Sequence, residues 1–371
     1  IAYYPHPKSC IYKLNSRNTT MLTLKKIAIA VTVPVILSTT WACSSGEKTA
    51  TEHHVQTDTL RADSIAIHEI LNPWKLMEKN GMAILHNWPE KDTLFYVYSL
   101  PDFRFLYKWG RVGQGPDEFI NPSFIPSVGD DIYINTWQST CLYSLSPEGV
   151  TLKDRIVPKK RVQTDAVFRN STAEYISWNP AENYLYLRNI HSEDVTDSVK
   201  IPWAFKNFSY GNTNTQQINV PHIAAVSSWR MAVAFEMMDA LFLYDIDENG
   251  RMTPVDTVGT LRFPKEISDY VNDESRTEFK MDDTDIYFNR ITSTADGHIF
   301  AEYYGMPSRL FHLTKKTSTH INVYDADGKM LKRLILDKPC GLWIADSRTN
   351  TIYGINPHHD FEYVYTFKYE L

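Results

Sequence analysis

From about residue 60 onward, short apolar and aromatic runs alternate with clusters of Gly, Pro, Asp, Asn and Ser, the pattern of strands separated by turns. "DTLFYVYSL" (Asp92–Leu100) is followed after Pro101 and Asp102 by "FRFLYKWG". "DDIYINTWQSTCLYSL" (Asp130–Leu145) holds two more runs, and "ENYLYLRN" (Glu182–Asn189) another. "RMAVAFEMMDALFLYDIDENG" (Arg230–Gly250), "GHIFAEYYG", "HINVYDADGKMLKRLIL" and the stretch from Gly341 onward repeat the arrangement. Helical periodicity is scarce. "PKEISDYVNDES" (Pro264–Ser275) predicts one short helix, from its early proline and i, i+3/i+4 apolar spacing.

Three stretches echo one another: "CLYSLSPEG", "LFLYDIDENG" and "INVYDADG" each carry an apolar strand with Tyr near its end, then an acidic turn and Gly. Glycine accepts the positive φ that tight turns need, so each reads as a hairpin. Their glycines fall at 149, 250 and 328, compatible with multiples of a unit of roughly forty to fifty residues. Repeats of three or four strands at that spacing are blades of a β-propeller. The predicted class is therefore all-β, a β-propeller of five to seven blades with six the best count. A large β-sandwich is the rival, disfavoured by the recurrent tyrosine–turn unit.

Composition agrees with strands: 22 Tyr, 17 Phe and nine Trp favour pleated, half-buried surfaces. A net charge of −6 gives no general attraction for a polyanion, and no nucleic-acid module is recognisable.

The N-terminal region reads differently. Met21 opens a segment with Lys25 and Lys26, an apolar run from Ile27 to Leu37, then Ala42 and Cys43. That run is short for a bilayer span and suits a signal-peptide core. The arrangement resembles a bacterial lipoprotein signal, which implies lipidation of Cys43; ordinary secretion with cleavage near Ala42 is the alternative. The chain divides into an upstream extension (1–20), a signal peptide (21–42), a lipidated cysteine with a polar tether (43–59) and the propeller domain (60–371). Cys141 and Cys340 remain, read as two buried thiols or as a disulfide across about two hundred residues.

The most motif-like run is "RVGQGPDEF", Arg111 to Phe119. A phosphate loop needs Lys and Ser/Thr after its last glycine, and a dinucleotide fingerprint needs a helix that Pro116 opposes. The residues instead suit a structural turn, with Phe119 as anchor and Arg111 clamping Glu118 or Asp117. Gly113, Gly115, Pro116, Glu118 and Phe119 match a G-x-G-P-x-E-F/Y signature. In this the chain resembles the TolB-like six-bladed propeller lipoproteins of Bacteroidota. The resemblance implies that fold and an envelope location, and assigns no activity.

Candidate chemistry is sparse. Asp245, Asp247 and Asn249, with Gly250 and Asp256, match positions of a Ca²⁺ loop, against the simpler reading of a solvated turn. No other cofactor is expected. His358, His359 and Asp360 follow a turn signal, and "HSEDVTDS" (His191–Ser198) holds Ser, His and Asp, whose proximity in sequence does not establish the spatial arrangement of a triad. Trp88, Trp109, Trp137, Trp178, Trp203 and Trp229 divide between inter-blade core and a groove for a glycan or peptide, and the loop Lys200–Asn212 is a surface-contact candidate. The leading expectation is an envelope propeller that binds a glycan, a peptide or another envelope protein. The competing one is a metal-dependent hydrolase or lyase at the central channel. A third is a docking scaffold in a membrane-associated complex. An enzyme would gather carboxylates or imidazoles with shifted pKa values, where a binder manages with aromatics and amides.

Overall fold

The computed structural model describes residues 55–69, 72–88, 93–115, 118–136, 138–157, 167–169, 174–179, 184–201, 221–261, 267, 284–359 and 362–371. Two strands open the described chain, β1 (Thr57–Leu60) and β2 (Asp63–Ala66). The first blade follows as β3 (Pro73–Lys79), β4 (Met82–Asn87), β5 (Thr93–Ser99) and β6 (Arg104–Val112), with a two-residue β7 (Glu118–Phe119) added. Blade two is β8 (Ser123–Ile125), β9 (Asp131–Asn135), β10 (Thr140–Ser146) and β11 (Gly149–Ile156). Blade three is β12 (Val167–Arg169), β13 (Glu174–Asn179), β14 (Tyr184–Asn189) and β15 (Val195–Lys200). Blade four is β16 (Pro221–Ser227), β17 (Arg230–Phe235), β18 (Met238–Ile246) and β19 (Met252–Gly259). Blade five is β20 (Asp285–Ser293), β21 (Ile299–Pro307), β22 (Thr319–Tyr324) and β23 (Met330–Leu336), with α1 (Ser308–Thr314) between its second and third strands. Blade six has β24 (Leu342–Asp346), β25 (Thr351–Ile355) and β26 (Tyr363–Lys368).

These are six antiparallel meanders, the six-bladed propeller that the echoes predicted. The N-terminal strands close the ring. β2 pairs antiparallel with β26 as the fourth strand of blade six, and β1 pairs parallel with β23 on the edge of blade five. The sequence pattern placed Thr57, Asp58 and Thr59 in the polar tether. They read as polar because β1 is an edge strand, exposed at every second residue.

Burial falls from the ring's interior outward. The second strands β4 and β17 are buried at every position, because each is covered by the neighbouring blades on both faces. They therefore appear as continuous apolar runs instead of alternating ones. The outermost strands β11, β15 and β19 are largely exposed and correspondingly polar. Six apolar clusters fill the blade boundaries in turn, such as Ile84, Phe95, Phe124 and Ile134 between blades one and two. Each cluster joins neighbouring sheets, and the one around Phe235 and Phe242 also takes in Ile286 and Tyr304 of blade five, so the packing that stabilises one blade also holds its neighbours.

The turn residues act as their types require. Gly250 (φ 79°) and Gly328 (φ 84°) close the "DIDENG" and "DADG" turns in the left-handed region. Gly149, the third of the echo, has no positive φ; the turn before it is made by Pro147 and Glu148. Of the predicted helix Pro264–Ser275, only the fully buried Ile267 lies among the described residues. The helix α1 was not legible, because only Ser308 and Phe311 of its seven residues are buried and no apolar stripe shows.

Candidate functional site

The innermost strands β3, β8, β16, β20 and β24 enclose a cavity of about 460 Å³ along the ring's axis. That is within the roughly 300–1,000 Å³ of small-molecule sites. β3 and β8 run in the same sense through it: Lys75 near one start donates to Ser123 Oγ at the other (2.7 Å), and Lys79 at one end donates to the Ser127 carbonyl beyond the other. Alternate residues of such strands face the cavity. Lys75, Glu78, Lys79, His222, Arg290 and Glu302 line it from blades one, four and five.

Glu302 is the fixed point. It sits on β21, 1% exposed, as the register partner of Arg290. Its carboxylate accepts from Asn289 Nδ2 (2.9 Å), the Tyr304 hydroxyl (3.1 Å) and Trp343 Nε1 (3.0 Å). Lys315, just past α1, brings its ammonium to 3.7 Å. Both oxygens are thus engaged by donors from blades five and six, and the charge is held in place.

Arg290 is held more lightly. Its guanidinium lies over the Trp343 ring at 5.1 Å and donates one hydrogen bond, Nη2 to the Leu76 carbonyl at 3.3 Å. Among the described residues no other hydrogen bond uses its five donors. Burial lowers its pKa and the Glu302 charge opposes that. His222, on β16, is pushed down to about 4, first by burial and then by the Arg290 charge, so it is neutral near pH 7. One ring nitrogen bonds to the Phe288 backbone. Nε2 is buried with no partner.

The remaining charges are better satisfied. The Lys79 ammonium donates to the carbonyls of Ser127 and Gly129 at 2.5 and 2.7 Å, and burial lowers its pKa to about 8. Glu78 is raised by burial, while the Gly81 N–H (3.0 Å) and Arg348 (3.4 Å) draw its charge away from the axis. The lining then carries Lys75, Lys79 and Arg290 against Glu302 and a diverted Glu78, an excess of positive charge. It is also more ionic than the aromatic and amide lining expected of a binder.

The signature loop lies elsewhere. β7 returns beside β6 as a parallel pair, Arg111 opposite Glu118 and Val112 opposite Phe119. Phe119, 1% exposed, packs edge-on to Phe95 and Trp109 and against Tyr143 of blade two. Glu118 accepts from the Gly115 N–H at 2.8 Å, and its carboxylate occupies the place a side chain on Gly113 would take. Arg111 is exposed and makes no ion pair with Glu118 among the described residues. Pro116 and Asp117 lie outside the described residues. The recess beside the loop measures about 30 Å³, room for about one water. The motif is a clasp between blades one and two.

The calcium-loop residues do not gather. Asp245 is gripped by Arg230 (2.6 and 3.1 Å), and Asp247 accepts from the backbone of Asn249 and Arg251 (2.9 and 2.8 Å). Asp256 stands opposite Leu243 on the next strand and accepts from Thr257. Among the described residues no three His, Cys, Asp or Glu side chains are close enough to hold a metal. His358 and His359 lie in a turn on Asn356, and His191 in one on Asn189; Asp360 is outside the described residues. Cys141 and Cys340 are separate buried thiols. Cys43, Trp137, Trp203 and the loop from 202 to 212 are outside the described residues. Trp109 and Trp178 are inter-blade packing, while Trp229 lies under Arg230. Trp88 is exposed and pairs at 5.0 Å with Trp74, which the sequence reading passed over. It also missed Arg290, Glu302 and His222. Their signal was single charges inside otherwise apolar strand runs, "IYFNRITS" and "IFAEYYG".

Fold and channel define a six-bladed β-propeller with a polar, ligand-sized axial cavity. The sequence model of the TolB-like 6-blade propeller-like family matches residues 50–346, and the chain belongs to that family. No curated protein matches the sequence. Among solved structures, a Bacteroides fragilis NCTC 9343 protein described as exported aligns with a TM-score of 0.51 at 11% identity, over 84% of this chain and 99% of its own. The β-propeller domain of Cps50 (Swd1) from Myceliophteria thermophila aligns with a TM-score of 0.46 at 8% identity, over 83% and 100%. At these identities the likeness is one of fold.

Proposed function

We propose that the protein is a lipid-anchored cell-envelope propeller that binds a small ligand in its axial channel. The observation that carries the binding reading is the 460 Å³ cavity, lined by Arg290 and His222, whose hydrogen-bonding capacity is not fully used among the described residues. Glu302, the most buried carboxylate there, is already bound by donors at both oxygens, which suits an anchor better than a proton acceptor. The anchor reading rests on Cys43 after its basic and apolar segments. The description of the Bacteroides fragilis protein as exported supports an envelope location in a bacterium of that group. No helix among the described residues is long and apolar enough to cross a membrane.

Ala225, half-buried on β16, lines the cavity. Ala225→Trp is expected to fill it, so small molecules found to bind by ligand-observed NMR should lose binding in this variant. Identical hits on both proteins would sink channel binding. Cys43→Ser should move the protein from the membrane fraction to the soluble one; full membrane retention would sink the anchor.

A further inference from the structure

Building on the channel-binding reading, we infer that the ligand is a hydroxylated carboxylate of the sugar-acid class, its carboxylate on Arg290 and its hydroxyls on His222 Nε2 and Asn289 Oδ1.

The carboxylate follows from Arg290. A guanidinium presents parallel N–H donors that match two carboxylate oxygens. Here the plane is set by the Trp343 ring and by one bond to Leu76, and the other donors are unused among the described residues. A single negative charge fits better than a dianion, because Glu302 already stands opposite Arg290 in register and balances part of the positive charge of the lining. Like charges brought into a partly dry cavity repel strongly.

The hydroxyls follow from the acceptors. His222 is neutral, and the ring nitrogen bonded to the Phe288 backbone carries its proton, since the bond stabilises the charged ring. Nε2 therefore offers a lone pair, is buried, and has no donor. An acceptor left so keeps its desolvation penalty uncompensated, and a ligand O–H relieves it. Asn289 adds an acceptor: one N–H of its Nδ2 donates to Glu302, which fixes the amide, and Oδ1 has no donor among the described residues on a side chain that lines the cavity. A charged fork beside two acceptors selects a molecule that is both acid and alcohol.

Isothermal titration calorimetry with D-glucuronate and D-galacturonate tests this, with glucose and cyclohexanecarboxylate as partners lacking one feature each. At least one uronate should bind about tenfold or more tighter than either comparator. Arg290→Lys keeps the charge but loses the fork, and should weaken the uronate about tenfold. His222→Phe should erase the preference over cyclohexanecarboxylate. Thermal melts of each variant separate lost binding from lost folding, and Arg290→Gln is read only beside the lysine variant. Equal binding of glucuronate and glucose would overturn the carboxylate, and equal binding of glucuronate and cyclohexanecarboxylate the hydroxyls. Silence of both uronates, with other hits still lost in Ala225→Trp, would overturn this inference and leave channel binding standing. Hits unaffected by Ala225→Trp would remove both.

Discussion

Two arginines on neighbouring blades show what the same side chain does in two settings. At the turn of blade four, Arg230 donates to both oxygens of Asp245, and to the Ala326 carbonyl (3.0 Å) and Asp327 (2.5 Å) of blade five. Trp229 lies under it at 4.5 Å. In the channel, Arg290 lies over Trp343 and makes one hydrogen bond among the described residues, at 3.3 Å. The first guanidinium is a rivet between blades, while the second keeps most of its donors open among the described residues. Arg348 belongs with the first, chelating Asp346 (2.8 and 3.1 Å) and reaching Glu78 of blade one. Asp245 and Asp327 both come from the acidic turns that repeat along the sequence, so the echo marks latches. Saturated donors stabilise a fold, whereas open donors are held at some expense of stability for function.

The contrast can be broken most sharply at Glu302. Glu302→Leu should cost about 3–5 kcal/mol in urea unfolding, because it strips the counter-charge from Arg290 and Lys315 and unpairs Trp343 and Tyr304. A loss under about 1 kcal/mol would show that the cluster is solvated and the channel not dry. Next, Arg230→Met should lose about 2–3 kcal/mol, since it leaves Asp245 without its bidentate partner. Arg290→Met should stay within about 1 kcal/mol of the parent or exceed it, as expected when an under-paired buried charge becomes apolar. Equal losses at both positions would collapse the distinction.

Acid should act through two buried imidazoles. His86 and His222 are both held near a pKa of about 4, below the ordinary 6.5, chiefly by burial. The unfolded chain therefore takes up protons first as pH falls. Their contribution to stability is complete above about 6.5 and is lost toward 4. Urea midpoints measured from pH 7 to 5 should decline, and the double variant His86→Leu, His222→Phe should flatten that decline. An unchanged slope would remove these imidazoles as its cause. The smallest effect is expected at Asp327→Ala, within about 0.5 kcal/mol, because its carboxylate side chain is 83% exposed.

Much of the fold was legible because strands and turns are written locally. Alternation, fully apolar second strands and the glycines of the repeated turns each depend on a few adjacent residues. The site was hidden because it is assembled across blades. Arg290 and Glu302 are separated along the chain but face each other in register, and His222 and Leu76 come from other blades. The calcium-loop reading shows the reverse. Asp245, Asp247 and Asp256 share a spacing, yet pairing sets Asp256 against Leu243 and Arg230 claims Asp245. The glycine–proline signature was legible as a turn, but of the two expected Arg111 partners Glu118 accepts from a backbone N–H, and Asp117 lies outside the described residues.

The closing strands carry a consequence for the order of assembly. Asp63 pairs with Thr366 and Leu60 with Leu336, contacts separated by almost the whole length of the domain. A chain delivered N-terminus first presents β1 and β2 as bare edges while every intervening blade emerges. Nothing can shut the circle until its final strand arrives. Loop closure over that distance comes late and slowly. Until then the half-built ring shows an open seam, the surface that a chaperone would have to cover and that a protease would find first.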